Sequence, residues 1–160
     1  MQDERIFIGL GSNLGDRERH LREALDALAR RAGRVLGTSA LFASPAWGFD
    51  GLPFLNQVAE LRSELHPEAL LKVLLHVEAG AGRIRHHAGY ANRVLDLDLL
   101  YYGNRCQSRQ QLTMPHPEIP KRRFVLAPLA ALAPEWKDPA SGLTVEQLLA
   151  QCPDPAGTWA

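Results

Sequence analysis

Residues 94–102 read VLDLDLLYY, and this stretch decides the fold. Its β-branched and aromatic residues and its strict alternation predict a strand over Val94 to Tyr102. Strand side chains alternate between faces, so Asp96 and Asp98 share one face, about 7 Å apart. Leu95, Leu97, Leu99 and Tyr101 are expected to enter a core on the other face. A strand this apolar is expected to be central and largely buried. Two carboxylates side by side in such a place repel each other and lose hydration, so a cation must compensate. Mg2+ meets that need with one or two carboxylates, filling its shell with water and substrate phosphates. The competing reading is an Asp face turned to solvent on a one-sided antiparallel sheet.

Working outward, the segment before the strand is a helix that opens at Pro67, with the stripe Leu70, Leu71, Leu74 and Leu75 and with Gly80 and Gly82 at its end. Further back, Ile6 to Leu10 predicts a buried strand. The 3/4 spacing of Leu21, Ala24, Leu25, Leu28, Ala29 and Ala32 predicts a helix that stops at Gly33. Val35 to Ala43 and Phe54 to Leu65 read as strands, separated by a loop from Ser44 to Pro53. After the Gly103-Asn104 turn come a hairpin, a proline-rich loop over 114–123 and helices over Phe124 to Leu132 and Thr144 to Ala150. The last helix carries a Thr-x-x-Gln capping box. The tail beyond about residue 150 is expected to fray. The order β-α-β-β-α-β gives an α+β sandwich, a mostly antiparallel sheet with helices packed on one face. Residues 1–160 form one domain in this reading.

The chain has 160 residues, with 46% hydrophobic and 22% charged, the profile of an ordinary globule. Eighteen Lys+Arg balance eighteen Asp+Glu, which argues against a protein that coats nucleic acid or an anionic membrane. Cys106 and Cys152 are too far apart for a zinc motif and read as free thiols in a reducing compartment. The N-terminal apolar run is too short for a signal peptide, and no stretch is long enough for a membrane span. A cytoplasmic location is therefore expected.

The charges that matter cluster around the paired aspartates. Arg83, Arg85 and Arg93 precede them, with His86 and His87 between. The loop over 114–123 adds His116, Lys121, Arg122 and Arg123. Arg forks match phosphate oxygens, and a metal held by Asp completes a polyphosphate clamp. Taken singly, each arginine also reads as a solvated surface charge. Glu78 ends the apolar helix stripe, placed to pair with an Arg, to accept from a ligand or to cover the core. No G-x-x-x-x-G-K-[ST] loop is present. Gly9-Leu10-Gly11 does not complete a dinucleotide fingerprint and reads as a tight turn. Trp47, Phe49, Phe54 and Phe124 could stack a planar heterocycle while Asn56 reads its edge, or they simply fill the core.

The stretches IGLGSNLGD, FLNQVAEL, GRIRHH, NRVLDLDLLYYG and LTMPHPEIPKRRFVLAPLAALAPE resemble the 6-hydroxymethyl-7,8-dihydropterin pyrophosphokinase family, from residue 5 to about 150. The resemblance implies a ferredoxin-like α+β fold, usually monomeric. It implies transfer of the pyrophosphoryl group of ATP to the hydroxymethyl oxygen of the pterin in folate biosynthesis, with two Mg2+ ions on the triphosphate. Asp96 and Asp98 match the metal pair, and Arg83 and Arg93 join them as catalytic residues. Glu78, Arg83, Arg85, Arg93, Leu99, Leu112, Thr113, His116 and Arg122 match ATP contacts. Ser44, Pro45, Trp47, Phe54, Asn56, Asp96 and Phe124 match the pterin pocket. The sequence departs from the family at Tyr90-Ala91-Asn92 before Arg93, where W-G-P is usual. Leu75 and Pro117 also stand where some members have a polar residue and a Tyr. A non-catalytic pterin- or nucleotide-binding relative is the alternative. An RNA-binding module of the same fold would want aromatics where the aspartates stand.

Overall fold

A computed structural model of the chain describes residues 4–45, 53–82 and 94–154. The elements run β1 (Ile6–Ser12), α1 (Arg17–Arg31), β2 (Arg34–Thr38), β3 (Phe42–Ser44), β4 (Phe54–Arg62), α2 (Pro67–Gly80), β5 (Asp96–Tyr102), β6 (Gln107–Ser108), β7 (Thr113–Met114), a 3-10 turn (Ile119–Lys121), α3 (Arg123–Leu132) and α4 (Val145–Gln151). The main sheet is antiparallel in the order β2-β4-β1-β5, with β3 also paired to β4. A central β1 flanked by β4 and β5, with one helix after β1 and one before β5, is the ferredoxin-like arrangement. β6 and β7 form a separate small hairpin.

Both faces of the sheet are covered, which corrects the one-sided packing expected from the sequence. On one face Ile6, Ile8, Leu10, Leu97 and Leu99 pack with Leu21 and Leu28 of α1 and Leu70 and Leu74 of α2. On the other, Phe7, Val58, Leu100 and Tyr101 pack with Val125, Leu126 and Leu129 of α3 and Leu148 of α4. The two late helices supply the second layer because their apolar stripes need a partner and the sheet's second face offers one.

This double cover explains a second correction. β5 is an edge strand among the described residues, not a central one. Its apolar residues are buried by the layers above and below rather than by strands on both sides. An edge strand leaves backbone groups without a ladder partner, and side chains and loops supply the acceptors and donors. Leu97 N–H donates to a Glu78 carboxylate oxygen at 2.7 Å, and the Leu100 carbonyl accepts from His116 N–H at 3.1 Å.

The alternation expected of β5 breaks at one residue. Phe7 pairs with Tyr101 and Ile8 with Leu99, so Leu100 is an extra residue without a partner on β1. This bulge reverses the faces beyond it. Leu99 lies on the α1/α2 side, Leu100 and Tyr101 on the α3/α4 side, and Tyr102 back on the first.

The expected strand over Val35 to Ala43 is two strands, β2 and β3. Ser39 interrupts it: its Oγ accepts the Val58 N–H at 3.0 Å, a side chain standing in for the backbone ladder. The expected strand to Leu65 ends at Arg62. The loop over 114–123 is not structureless, since it holds β7, a cis Met114–Pro115 bond and the 3-10 turn. The capping box of α4 is present, with Thr144 Oγ1 accepting from Gln147 N–H and Gln147 Oε1 from Thr144 N–H.

Beyond α4 the described chain runs on to Asp154. Cys152 and Asp154 are buried, and Arg123 binds them both. Cys106 is exposed, and both cysteines are free thiols.

Candidate active site

The two glycines of β1 organise the site. Gly9 and Gly11 lie inside the strand with no positive φ, which corrects their reading as a tight turn. Gly11 pairs on one side with Asn56 of β4 and on the other with Asp96 of β5. Gly9 pairs likewise with Val58 and Asp98. Directly opposed residues of antiparallel strands share a face. One face therefore presents Asn56, a glycine and Asp96 in a row across three strands, with Asp98 in the next row. A side chain at Gly11 would meet Asn56 Oδ1 and Phe54 Cδ1 at ordinary contact distance. The glycine thus leaves a floor without side chains between the amide and aromatic on β4 and the carboxylates on β5.

Asn56 is buried and held rigidly. Its Nδ2 donates to the Phe42 carbonyl at 3.1 Å and to Ser44 Oγ at 2.8 Å. That leaves Oδ1 without a hydrogen bond among the described residues, on the side that faces Gly11. Ser44 is buried at the end of β3, and Pro45 follows it, exposed. Arg17, in the first turn of α1, donates to the Pro53 carbonyl at 2.7 Å and so fixes the chain just before Phe54. Phe124 sits in the first turn of α3, half-buried, with the Arg122 guanidinium 5.5 Å from its ring centroid.

On the opposite side of the floor, His116 Nε2 lies 3.9 Å from Asp98 Oδ1. Its position follows from the bulge, because the unpaired Leu100 carbonyl takes the His116 N–H. His116 Nδ1 accepts from Glu118 N–H at 3.2 Å, which puts the ring proton on Nε2, facing Asp98. Burial pushes the His116 imidazole below its ordinary value, Asp98 opposes that, and the Arg122 charge adds to it. The Asp98 side chain is 41% exposed, open to a ligand.

The other expected ligand contacts also have partners within the fold. Leu99 and Leu112 point into the α1/α2 core, and the Leu112 N–H and carbonyl both pair with the Arg109 backbone. The Thr113 hydroxyl donates to the Arg109 carbonyl. Glu78 is 2% exposed and binds the β5 backbone between the two aspartates. Leu75 is exposed on α2. Trp47, Phe49, Arg83, Arg85, His86, His87, Tyr90 and Arg93 lie outside the described residues. The sequence reading missed the roles of the two glycines, the Ser44–Asn56 bond and the Leu100 bulge. Only the glycines left a signal, two small residues two apart in an otherwise apolar strand.

Fold and site define a class: small ferredoxin-like α+β proteins that present a buried amide and paired carboxylates on one face of an antiparallel sheet. The family model for 7,8-dihydro-6-hydroxymethylpterin-pyrophosphokinase (HPPK) matches residues 7–134, and the chain belongs to that family. Its activity is accordingly pyrophosphoryl transfer in folate synthesis. The chain is 43% identical over 145 residues to the 2-amino-4-hydroxy-6-hydroxymethyldihydropteridine pyrophosphokinase of Synechocystis sp., covering 90% of this chain and 74% of that protein. It is 41% identical over 155 residues to the enzyme of the same name from Methylorubrum extorquens, covering 96% of each. Among solved structures, a Plasmodium falciparum HPPK-DHPS chain matches with a TM-score of 0.76 at 13% identity, over 94% of this chain and 45% of that longer one. That last likeness bears on the fold alone. Membership of an enzyme family disfavours the purely binding relative.

Proposed function

We propose that the glycine-floored face is the catalytic site, where ATP and 6-hydroxymethyl-7,8-dihydropterin meet. The pterin hydroxymethyl oxygen bonds to the β-phosphorus of ATP. The bond from that phosphorus to the bridging oxygen of the α-phosphate breaks, AMP leaves, and the hydroxyl proton passes to solvent. A loose transition state of this kind needs positioning and charge neutralisation more than a protein nucleophile. Phe54 and Phe124 flank the pterin ring, Asn56 Oδ1 accepts from its edge, and Ser44, Pro45 and Trp47 line the pocket. His116, Arg122, Arg83, Arg85 and Arg93 hold the phosphates. Glu78, Leu99, Leu112 and Thr113 border the nucleotide.

The donor set suits Mg2+. Asp96 and Asp98 are two hard oxygen donors on one strand face, both partly exposed. Asp96 and Asp98 would hold the ions, which when bound neutralise charge on the phosphates. The observation that carries this reading is the row Asn56–Gly11–Asp96, which puts an amide acceptor and a metal-type carboxylate on either side of a bare floor.

We further propose that residues 1–160 act as one unit and as a monomer in the cytoplasm. Two free thiols support that compartment. Among the described residues the exposed large hydrophobics, Leu36 and Leu75, lie on separate elements, β2 and α2, which supports a monomer. No helix among the described residues is long and apolar enough to cross a membrane. The test is an assay with ATP, Mg2+ and 6-hydroxymethyl-7,8-dihydropterin. One AMP per dihydropterin diphosphate is expected. Binding of both substrates without AMP overturns the proposal.

A further inference from the structure

α3 begins without a cap of its own. Its N-cap residue is Arg122, whose side chain carries only donors and makes no capping bond. The first-turn N–H groups of a helix need acceptors, and a carboxylate there is also favoured by the helix dipole. The missing acceptor comes from a residue 31 positions further along the chain. Asp154 Oδ2 accepts the Arg123 N–H at 3.2 Å. The Arg123 side chain in turn grips the segment that carries Asp154. Its Nη2 donates to the Cys152 carbonyl at 3.2 Å, and its Nε and Nη2 donate to the Asp154 carbonyl at 3.4 Å. Asp154 is 5% exposed, so this clasp is built into the fold rather than laid on its surface.

The clasp lies between two residues of the site. Arg122 immediately precedes Arg123, and Phe124 follows it, with the Arg122 guanidinium over the Phe124 ring. Arg122 also acts on His116, which faces Asp98. We infer that Asp154 and Arg123 are positioning residues for the transfer reaction: the C-terminal segment caps α3 from a distance and so sets where Phe124 and Arg122 stand. The inference rests on the reading of Phe124 and Arg122 as pterin and ATP contacts. Neither Asp154 nor Arg123 touches a reacting atom. They act through the first turn of α3, where a displacement weakens the contacts that Phe124 and Arg122 make with their ligands.

The test compares steady-state kinetics of the full chain and its variants, each assayed well below its own melting temperature. Asp154→Ala and Arg123→Gln are expected to raise the KM for the pterin roughly tenfold while kcat changes less than twofold. Asp154→Glu, which restores the carboxylate, recovers most of the loss. A role in global stability alone would lower the melting temperature and leave KM as it is, and that result overturns the inference. Asp154→Asn keeps the volume and an acceptor oxygen but loses the charge. It serves if the alanine variant does not fold, with a KM rise of about threefold expected and an unchanged KM counting against the inference. Phe124→Ala is the control for the underlying reading. An unaltered pterin KM in Phe124→Ala removes that reading and this inference together. A raised KM there beside a normal Asp154→Ala removes the inference only.

Discussion

Gly11 shows how much one residue can decide. It pairs with Asn56 and Asp96 at once, and its missing side chain is the space between them. Alanine fits that space at ordinary contact distance from Asn56 and Phe54. Valine does not, because its branched methyls occupy the floor. Gly11→Val is expected to fold and to lose roughly 100-fold in kcat/KM for the pterin. Steady-state kinetics beside a thermal melt check this, and a wild-type kcat/KM would count against the floor. Asp98 carries the complementary prediction. Its side chain is 41% exposed and lies 3.9 Å from His116 Nε2, so Asp98→Ala is expected to keep its fold. If Asp98 holds Mg2+ as proposed, its loss removes several kcal/mol of charge stabilisation, or about a thousandfold in turnover. Turnover near normal in that variant would overturn the metal assignment. The residue types were legible in the sequence at both positions, since alternation alone puts Asp96 and Asp98 on one face. The neighbours were not legible, because Asn56 and Asp96 reach Gly11 through strand pairing between distant segments.

The elements are placed by a few local exceptions to regular structure. The Leu100 bulge in β5 frees a carbonyl that holds the His116 backbone, and so brings an imidazole to Asp98. Periodicity cannot show a bulge in advance: LLYY reads as unbroken strand, and only the pairing with Phe7 and Ile8 reveals the extra residue. Gly33, between α1 and β2, is a second such point. It passes so close to the Arg62 carbonyl that a Cβ would collide with it. The same crossing is tied by Ser63 Oγ, which donates to the Ala32 carbonyl. Gly33→Ala is therefore expected to cost about 2 kcal/mol through backbone displacement. Denaturant unfolding measures this, and a variant as stable as the parent would refute the close approach. The sequence reading did place a helix stop at Gly33, by its position after the apolar stripe. The steric reason belongs to β4, and no helix signal contains it.

At the scale of the molecule, two cores press the sheet from opposite sides, and the α3/α4 core is locked by a buried polar pair. Tyr101 donates its hydroxyl to Asp138 at 2.9 Å, and Asp138 also accepts from the Ser141 N–H and hydroxyl. Burial, with the Asp138 charge behind it, holds the Tyr101 phenol far above its ordinary value of 10.0. The folded chain thus keeps a proton that the unfolded chain releases near pH 10. Stability contributed by this phenol is complete below about pH 10 and falls as pH rises beyond it. Tyr102, also raised by burial, adds a smaller part in the same direction. Tyr101→Phe is expected to lose about 1–3 kcal/mol at neutral pH, since Asp138 loses a buried donor. It should also show a shallower fall in melting temperature above pH 10 than the parent. Parallel alkaline profiles would refute the assignment. The aromatic packing of Tyr101 with Phe7 and Trp136 is retained in that variant.

The sequence by itself determined the kinds of element, their order, the shared face of the two aspartates and the family. Each of these lives in local periodicity, in side-chain chemistry or in a contiguous motif. Only the tertiary structure decided that β5 is an edge strand buried by two helical layers, that Glu78 serves its backbone, and that Asn56, Gly11 and Asp96 stand in one row. It likewise decided that Asp154 caps a helix begun far earlier in the chain. The physical reason is the same throughout. Strand order, register and remote caps are set by which apolar faces and unpaired backbone groups find each other in space, and the spacing of residues along the chain carries no record of those meetings.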